Sequence, residues 1–251
     1  MTREILNLPD ISETSIFTQL MLHQINTRDV FVVLPAFNED TVIRKVIEKL
    51  LPFNYALVAV DDGSIINLKN FIKDLDVTVL RHKTNLGQGA AIQTGLDYSL
   101  RMGAKYIVTF DADGQHKASE IERLLTPLIS NNMEITFGSR FLTGASHNMP
   151  FARKVLIQLA RYINYAFTGL LLSDAHNGMR AMTQAAARKV RIKENGMAHA
   201  TEILVFVKQS RLRYSEVPIS IIYDEYSLKK GQSGWQAARI LLDLIQAKIF
   251  R

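Results

Sequence analysis

Apolar residues in the first 140 positions come in short, nearly continuous runs rather than in strict alternation. Val30-Phe-Val-Val-Leu34, Tyr55–Val60, Val77–Leu80, Tyr106–Phe110 and Ile135–Phe137 each read as a strand buried on both faces, the first ended by Pro35. Between them the spacing turns helical, predicting helices over 39–51, 88–102 and 118–130 and a weaker one over 67–74. Strands alternating with helices in this way predict an α/β fold with a mostly parallel central sheet flanked by helices. From about residue 150 onward the pattern is more helical and less regular: a helix over 150–170, a loop from Ser173 to Arg180, a helix over 199–210 and a strand-like run Tyr214–Ile222. No Pro/Gly-rich linker and no internal repeat interrupts the chain, so 30–233 reads as one domain with a helical C-terminal subregion. Two flanks stand apart from it. In the N-terminal extension 1–29, Ile16, Phe17, Leu20, Met21 and Ile25 fall at helical spacing. In 234–251, Gln236, Arg239, Asp243 and Gln246 form a narrow polar stripe on an otherwise apolar, amphipathic helix.

The polar residues that follow the strands change this picture from a fold to a site. Asn38-Glu39, Asp61-Asp62, Asp111-Ala-Asp113 and Arg140 each stand just past the end of a strand, which is where open parallel sheets bind their ligands. Two carboxylates one residue apart can converge on a hard cation such as Mg2+ or Mn2+, and Gln115 and His116 are close enough to add a ligand. Asp61-Asp62-Gly63-Ser64 can accept hydrogen bonds from a nucleobase or ribose, and equally reads as a turn that starts a helix. Asn85-Leu-Gly87-Gln-Gly89-Ala-Ala91 lacks the third glycine and the preceding strand of a dinucleotide fingerprint; its small residues are expected to let a helix begin close to a ligand.

Composition narrows the partners. The 251 residues are 47% hydrophobic and 22% charged, enough for one large buried core, and the absence of cysteine excludes disulfides and thiolate-metal sites. A net charge of +6 suits nucleic acid, an anionic membrane or phosphorylated substrates. No dense Lys/Arg block with interleaved aromatics is present, which argues against nucleic acid. The apolar stretch Tyr162–Ser173 carries Asn164 and falls short of the ~20 residues of a membrane span. The N-terminus lacks the basic start and apolar core of a signal peptide. A cytosolic protein, with room to sit on a membrane surface, is therefore expected.

Taken in order, Leu34-Pro-Ala-Phe-Asn-Glu39, Val60-Asp-Asp-Gly-Ser64, Asn85-Leu-Gly87, Asp111-Ala-Asp113 and Gly138-Ser-Arg140 resemble the motif series of family 2 glycosyltransferases of the GT-A fold. The run Asp111–His116, the loop Asp174-Ala-His-Asn-Gly-Met-Arg180 and Glu216-Val-Pro-Ile219 are similar to the dolichyl- and polyprenyl-phosphate sugar synthase branch, and the likeness covers roughly residues 30–235. It implies metal-dependent, inverting transfer of a hexosyl group from a UDP- or GDP-sugar to a polyprenyl phosphate. By the same resemblance, Pro35, Phe37, Asn38, Glu39 and Gly87 line the nucleotide pocket, and Asp61 and Asp62 approach base and ribose. Asp113 and Gln115, with Asp111 close by, hold Mg2+ or Mn2+. Arg140, Arg153, His176 and Arg180 face phosphate, although Ile157 stands where the branch keeps a serine. Glu202 and Asp174 are the carboxylates nearest the reacting sugar. The basic loop Tyr226–Ser233 is expected to fold over the diphosphate with Lys229 or Lys230. The C-terminal helix either packs on the domain, lies at the membrane interface, or docks a small membrane protein.

A saccharide acceptor, as in surface-polysaccharide assembly, stays open at this point and would require a general base. A sugar-phosphate nucleotidyltransferase would carry a Gly-rich basic loop after the first strand, where this chain has Pro35-Ala-Phe-Asn-Glu39.

Overall fold

The computed structural model describes residues 25–130, 132–142, 161–162, 165–166, 168–175, 177–196 and 198–221. Each apolar run becomes a strand: β1 (Val30–Ala36), β2 (Ala56–Asp61), β3 (Thr78–Arg81), β4 (Tyr106–Thr109) and β5 (Ile135–Ser139), joined later by β6 (Arg180–Thr183) and β7 (Tyr214–Pro218). They form one seven-stranded sheet in the order β3-β2-β1-β4-β6-β5-β7. The pairs β1–β2, β1–β4, β2–β3 and β5–β7 are parallel, whereas β6 runs antiparallel to both β4 and β5. The sheet is thus mostly parallel, with one reversed strand at its centre.

The continuous apolar character of the runs follows from burial on both faces. In β1, Val30, Val32 and Leu34 join a core with Ile43, Val46, Ile47 and Leu50 of helix α1 (Ile43–Leu50) and Ile121, Leu124, Leu125 and Leu128 of helix α4 (Glu120–Ser130). Val33 points the other way, into a second core. That core holds Ile92 and Leu96 of α3 (Gln88–Arg101), Ala186 and Ala187 of α5 (Gln184–Lys189), and Ile203, Leu204 and Val207 of α6 (His199–Gln209). The short helix α2 (Lys69–Ile72) precedes β3. Helix α3 lies so close to β1 that a Cβ at Gly95 would overlap the Val33 side chain. Gly95→Ala is therefore expected to cost about 1–3 kcal/mol through overpacking, although alanine is the better helix former. Urea unfolding of the two proteins checks the sign.

Two elements depart from the sequence expectation. β6 and α5 occupy a stretch partly read as loop, because a four-residue strand that opens on an arginine has no visible apolar run. The run expected over Tyr214–Ile222 pairs as a strand only to Pro218, and Ile221 then makes an isolated antiparallel bridge with His116. The 16–24 segment, the helix expected over 150–170 in its greater part and the one expected over 235–251 lie outside the described residues.

Candidate active site

All four polar strand ends come together on one edge of the sheet, because β1, β2, β4 and β5 point the same way in it. Beyond β1, Phe37 is 43% exposed, and Asn38 adopts a left-handed φ of 56°, a conformation that asparagine tolerates better than most residues. The Asn38 N–H donates to Ser64 Oγ (2.9 Å), while its Oδ1 accepts from the Ile65 N–H (3.0 Å). These bonds stitch the loop after β1 to the loop after β2. Phe37, Ile65 and Ile66 are left as exposed apolar side chains there.

Asp61 and Asp62, expected beside base and ribose, commit their oxygens to the chain itself. Asp61 is fully buried and accepts from the N–H groups of Ser64 (2.9 Å) and Leu68 (3.1 Å) and from Arg81 Nη1 (2.6 Å). Asp62, also buried, accepts from the N–H groups of Leu86 (2.9 Å) and Gly87 (2.7 Å) and lies 2.7 Å from His82 Nδ1. The turn between these loops requires Gly63, with φ 72°, since a Cβ there would overlap Thr84.

At the end of β4, Asp111 receives Gln88 Nε2 (3.2 Å) and faces His116 Nε2 (3.4 Å). The backbone passes it so closely that a Cβ at Gly178 would overlap the Asp111 carboxylate. Burial raises the Asp111 carboxyl, but His116, Arg180 and His199 outweigh it and hold the group below the ordinary range. Asp113 goes the other way: burial, and then the charges of Asp111 and Glu39, push its carboxyl up despite a bond from the Gln115 N–H (3.0 Å). Among the described residues no three acidic or histidine side chains form a ready-made cage. Two crowded carboxylates next to an amide do fit a hard divalent ion that takes its remaining ligands from phosphate oxygens. A cation there would relieve the repulsion that raises Asp113.

The end of β5 differs from the expectation of an arginine facing phosphate. Arg140 donates in a two-pronged pair to the buried Asp174, Nε at 2.6 Å and Nη2 at 2.7 Å, and its N–H adds a third bond at 3.1 Å. Burial raises the Asp174 carboxyl, yet the Arg140 charge and hydrogen bonds prevail and lower it. The loop carrying Asp174 is anchored in turn by Glu216 of β7, whose Oε1 accepts from the N–H (2.6 Å) and the Oγ (2.6 Å) of Ser173. Arg180, at the start of β6, is the largest fully buried side chain; burial lowers its pKa to about 10 against the opposing pull of Asp111 and Asp174. Its Nε and Nη1 have no hydrogen-bond partner among the described residues.

Glu202 lies on α6, and its Oε2 accepts from the N–H groups of Lys193 (2.8 Å) and Glu194 (2.8 Å). This braces a loop that presses on the start of α3: Gly89 N–H donates to the Asn195 oxygen (2.8 Å). A Cβ at Gly87 would overlap that same oxygen, and one at Gly89 the Glu194 oxygen. The small residues around Gly87 thus admit another loop of this chain. Arg153, His176, Lys229 and Lys230 lie outside the described residues. Sequence reasoning gave no role to Arg81, His82, Gln88 and Gly178, since their partners Asp61, Asp62, Asp111 and Thr109 are 20, 20, 23 and 69 residues away. Gln88, Gly178 and Glu216 lie inside quoted motifs, whereas Arg81 and His82 lie in none.

Known proteins bear on this geometry. An uncharacterised protein of Methanocaldococcus jannaschii is 34% identical over 91% of this chain and 96% of its own length. A UDP-N-acetylglucosamine–dolichyl-phosphate N-acetylglucosaminyltransferase of Methanococcus voltae is 30% identical over 88% of this chain and 96% of its own. The solved structure of glucosyl-3-phosphoglycerate synthase from Mycobacterium tuberculosis, in complex with Mn2+, uridine diphosphate and glucosyl-3-phosphoglycerate, is alike in fold. It has a TM-score of 0.64 at 16% identity over 98% of this chain and 86% of that one. Among the described residues no helix is long and apolar enough to cross a membrane. The Glycosyl transferase family 2 profile matches residues 31–191, well over half of the chain and the whole stretch from β1 to α5. The carboxylates gathered at the strand ends therefore belong to a glycosyltransferase of the GT-A fold, and the chain belongs to glycosyl transferase family 2.

Proposed function

We propose that this enzyme transfers a hexosyl group from a UDP- or GDP-sugar to a polyprenyl phosphate, with Mg2+ or Mn2+, at the cytosolic face of the membrane. The observation that carries the acceptor is the state of the two carboxylates expected nearest the sugar. A sugar hydroxyl needs a general base within reach. Asp174 is pinned by Arg140 and held below the ordinary carboxylate range, and Glu202 Oε2 is engaged by two backbone N–H groups. Asp174 is therefore not arranged to take a proton, and Glu202 Oε2 is occupied in bracing the 193–194 backbone. A phosphate monoester is already ionised near neutral pH and needs no base. The dolichyl-phosphate acceptor in the name of the Methanococcus voltae relative supports the same choice.

In this reading the nucleobase lies against the exposed apolar side chains of Phe37, Ile65 and Ile66, on loops that Asp61 and Asp62 hold in shape. Asp113, Gln115 and Asp111 would hold the metal, whose charge stabilises the leaving diphosphate. Arg180 supplies a buried positive charge that, together with the larger effect of His116, holds the Asp111 carboxyl below its ordinary range. An oxygen of the acceptor phosphate attacks C1 of the sugar, and the C1–O bond to the diphosphate breaks with its electron pair leaving on the nucleotide. One in-line displacement inverts the anomeric carbon. Arg153, Lys229 and Lys230 are assigned to the phosphates on the strength of the resemblance, and the C-terminal helix to membrane contact, directly or through a small membrane protein.

The test is nucleotide release from UDP-N-acetylglucosamine, UDP-glucose and GDP-mannose, with Mg2+ or Mn2+, in the presence of a short-chain polyprenyl phosphate, a sugar acceptor or water alone. Release that requires both metal and lipid phosphate is expected. Release indifferent to both would sink the proposal.

A further inference from the structure

His82 stands one residue past β3, and its ring joins two elements of the donor side. Nδ1 lies 2.7 Å from Asp62 Oδ1, and Nε2 lies 2.9 Å from Oγ1 of Thr94 on α3. The ring is largely buried, with its side chain 11% exposed. The partners assign the tautomer. An ionised carboxylate only accepts, so Nδ1 carries a proton and donates to Asp62. In the neutral ring Nε2 then accepts from the Thr94 hydroxyl. Asp62 in turn receives the N–H groups of Leu86 and Gly87. Those are the last two residues before α3, whose first turn has no side-chain cap. The carboxylate therefore holds the two residues that lead into α3, and His82 fixes the direction in which it points.

We propose that His82 is a positioning residue for the nucleotide pocket: through Nδ1 it orients Asp62, and through Asp62 it sets the Leu86–Gly87 backbone beside the loops after β1 and β2. The inference rests on the donor-site reading given above, since the loop matters to catalysis only if the nucleotide binds against it. His82 touches no reacting atom. Its effect belongs in donor binding, not in the chemical step.

Two amide variants separate this role from mere space-filling. In His82→Asn the side-chain amide can take the place of Nδ1 and keep the bond to Asp62; in His82→Gln it can take the place of Nε2 and keep only the bond to Thr94. Hydrogen exchange followed by mass spectrometry on the full chain without ligand reads the loop directly. His82→Gln is expected to speed exchange of the Leu86 and Gly87 amides by about tenfold, and His82→Asn to leave it close to wild type. With donor and Mn2+, His82→Gln is expected to raise the donor KM about tenfold while kcat changes less than about twofold, and His82→Asn to restore most of that affinity. Thr94→Val, which leaves the Asp62 bond in place, is expected to raise KM by only about threefold and covers the case in which His82→Gln does not fold.

Equal exchange in the two His82 variants would overturn the positioning role. A split in exchange with no split in KM would make the histidine purely structural and overturn the proposal too. A wild-type protein that binds neither UDP nor GDP would instead bring down the donor-site reading, and with it the function assigned to His82, whatever the exchange data show.

Discussion

Asp113→Asn is expected to lower metal-dependent nucleotide release by about a thousandfold, on the order of 4 kcal/mol of transition-state stabilisation, without weakening the fold. The two effects have opposite signs for one reason. Asp113 is pushed up by burial and by the charges of Asp111 and Glu39, so its carboxylate is a strained neighbour whenever no cation is bound. Removing that charge relieves the repulsion, and the melting temperature without metal should stay level or rise by about 1–3 °C. The stabilisation that Mn2+ and UDP together give the wild type should vanish in the variant. The wild type also has a pH signature. A metal held as proposed would bind the ionised carboxylate, so affinity is expected to fall as pH drops through the raised Asp113 value. The loss therefore begins at a higher pH than the ~4 of an ordinary aspartate. Turnover with Mn2+ and thermal melts from pH 5 to 8 measure both effects. An Asp113→Asn protein that is active, or markedly less stable, contradicts this account of the site.

Arg140→Met is expected to cost roughly 3–5 kcal/mol of stability at pH 7, because it leaves the fully buried Asp174 carboxylate without the two-pronged pair that satisfies it. In the wild type the folded-state pKa of Asp174 is depressed. Its contribution is present above the unfolded value near ~4 and is lost as pH falls through the lower folded value. In the variant the sign reverses, since burial then prevails and the folded pKa rises above the unfolded one. The deficit is complete above that raised value and closes as pH falls toward ~4, where the group is protonated in both states. Arg140→Met/Asp174→Asn should be less damaged than Arg140→Met alone, since no charge is then left buried and unpaired. Denaturant unfolding at pH 4.5 and pH 7 distinguishes this from simple loss of packing, which would be the same at both.

The nucleotide half of the molecule could be read from the chain because its logic is local. Each of β1, β2 and β4 is an apolar run that ends in a polar group, and parallel pairing of β2 and β4 on either side of β1 brings those ends to one edge. The other half could not, for reasons of reach. β6 is four residues long and starts with an arginine that the fold buries between two carboxylates, so its pattern carries no strand signal. The resemblance put Asp174 and Glu202 nearest the reacting sugar, but their partners, Arg140 and the Lys193–Glu194 backbone, which make one an internal ion pair and the other a brace for a loop, could not be read from the chain. His82 lacks any local motif, and its meaning depends on Asp62 and on Thr94, which only the folded sheet and helix bring into contact with it.

The reversed strand β6 also dictates the order in which the protein can be completed on the ribosome. Residues 30–109 contain all of β3-β2-β1-β4 and can pair among themselves as soon as they emerge. The strand that covers the open side of β4 is not made until residue 183, and β5, synthesised earlier, has no direct pairing with β4. For some 70 residues of elongation, about 4–15 seconds at typical synthesis rates, Tyr106-Ile-Val-Thr109 therefore presents an unpaired, apolar edge to the cell. Slower translation between β4 and β6 is therefore expected to lengthen that exposure, and chaperone occupancy over the interval to shorten it.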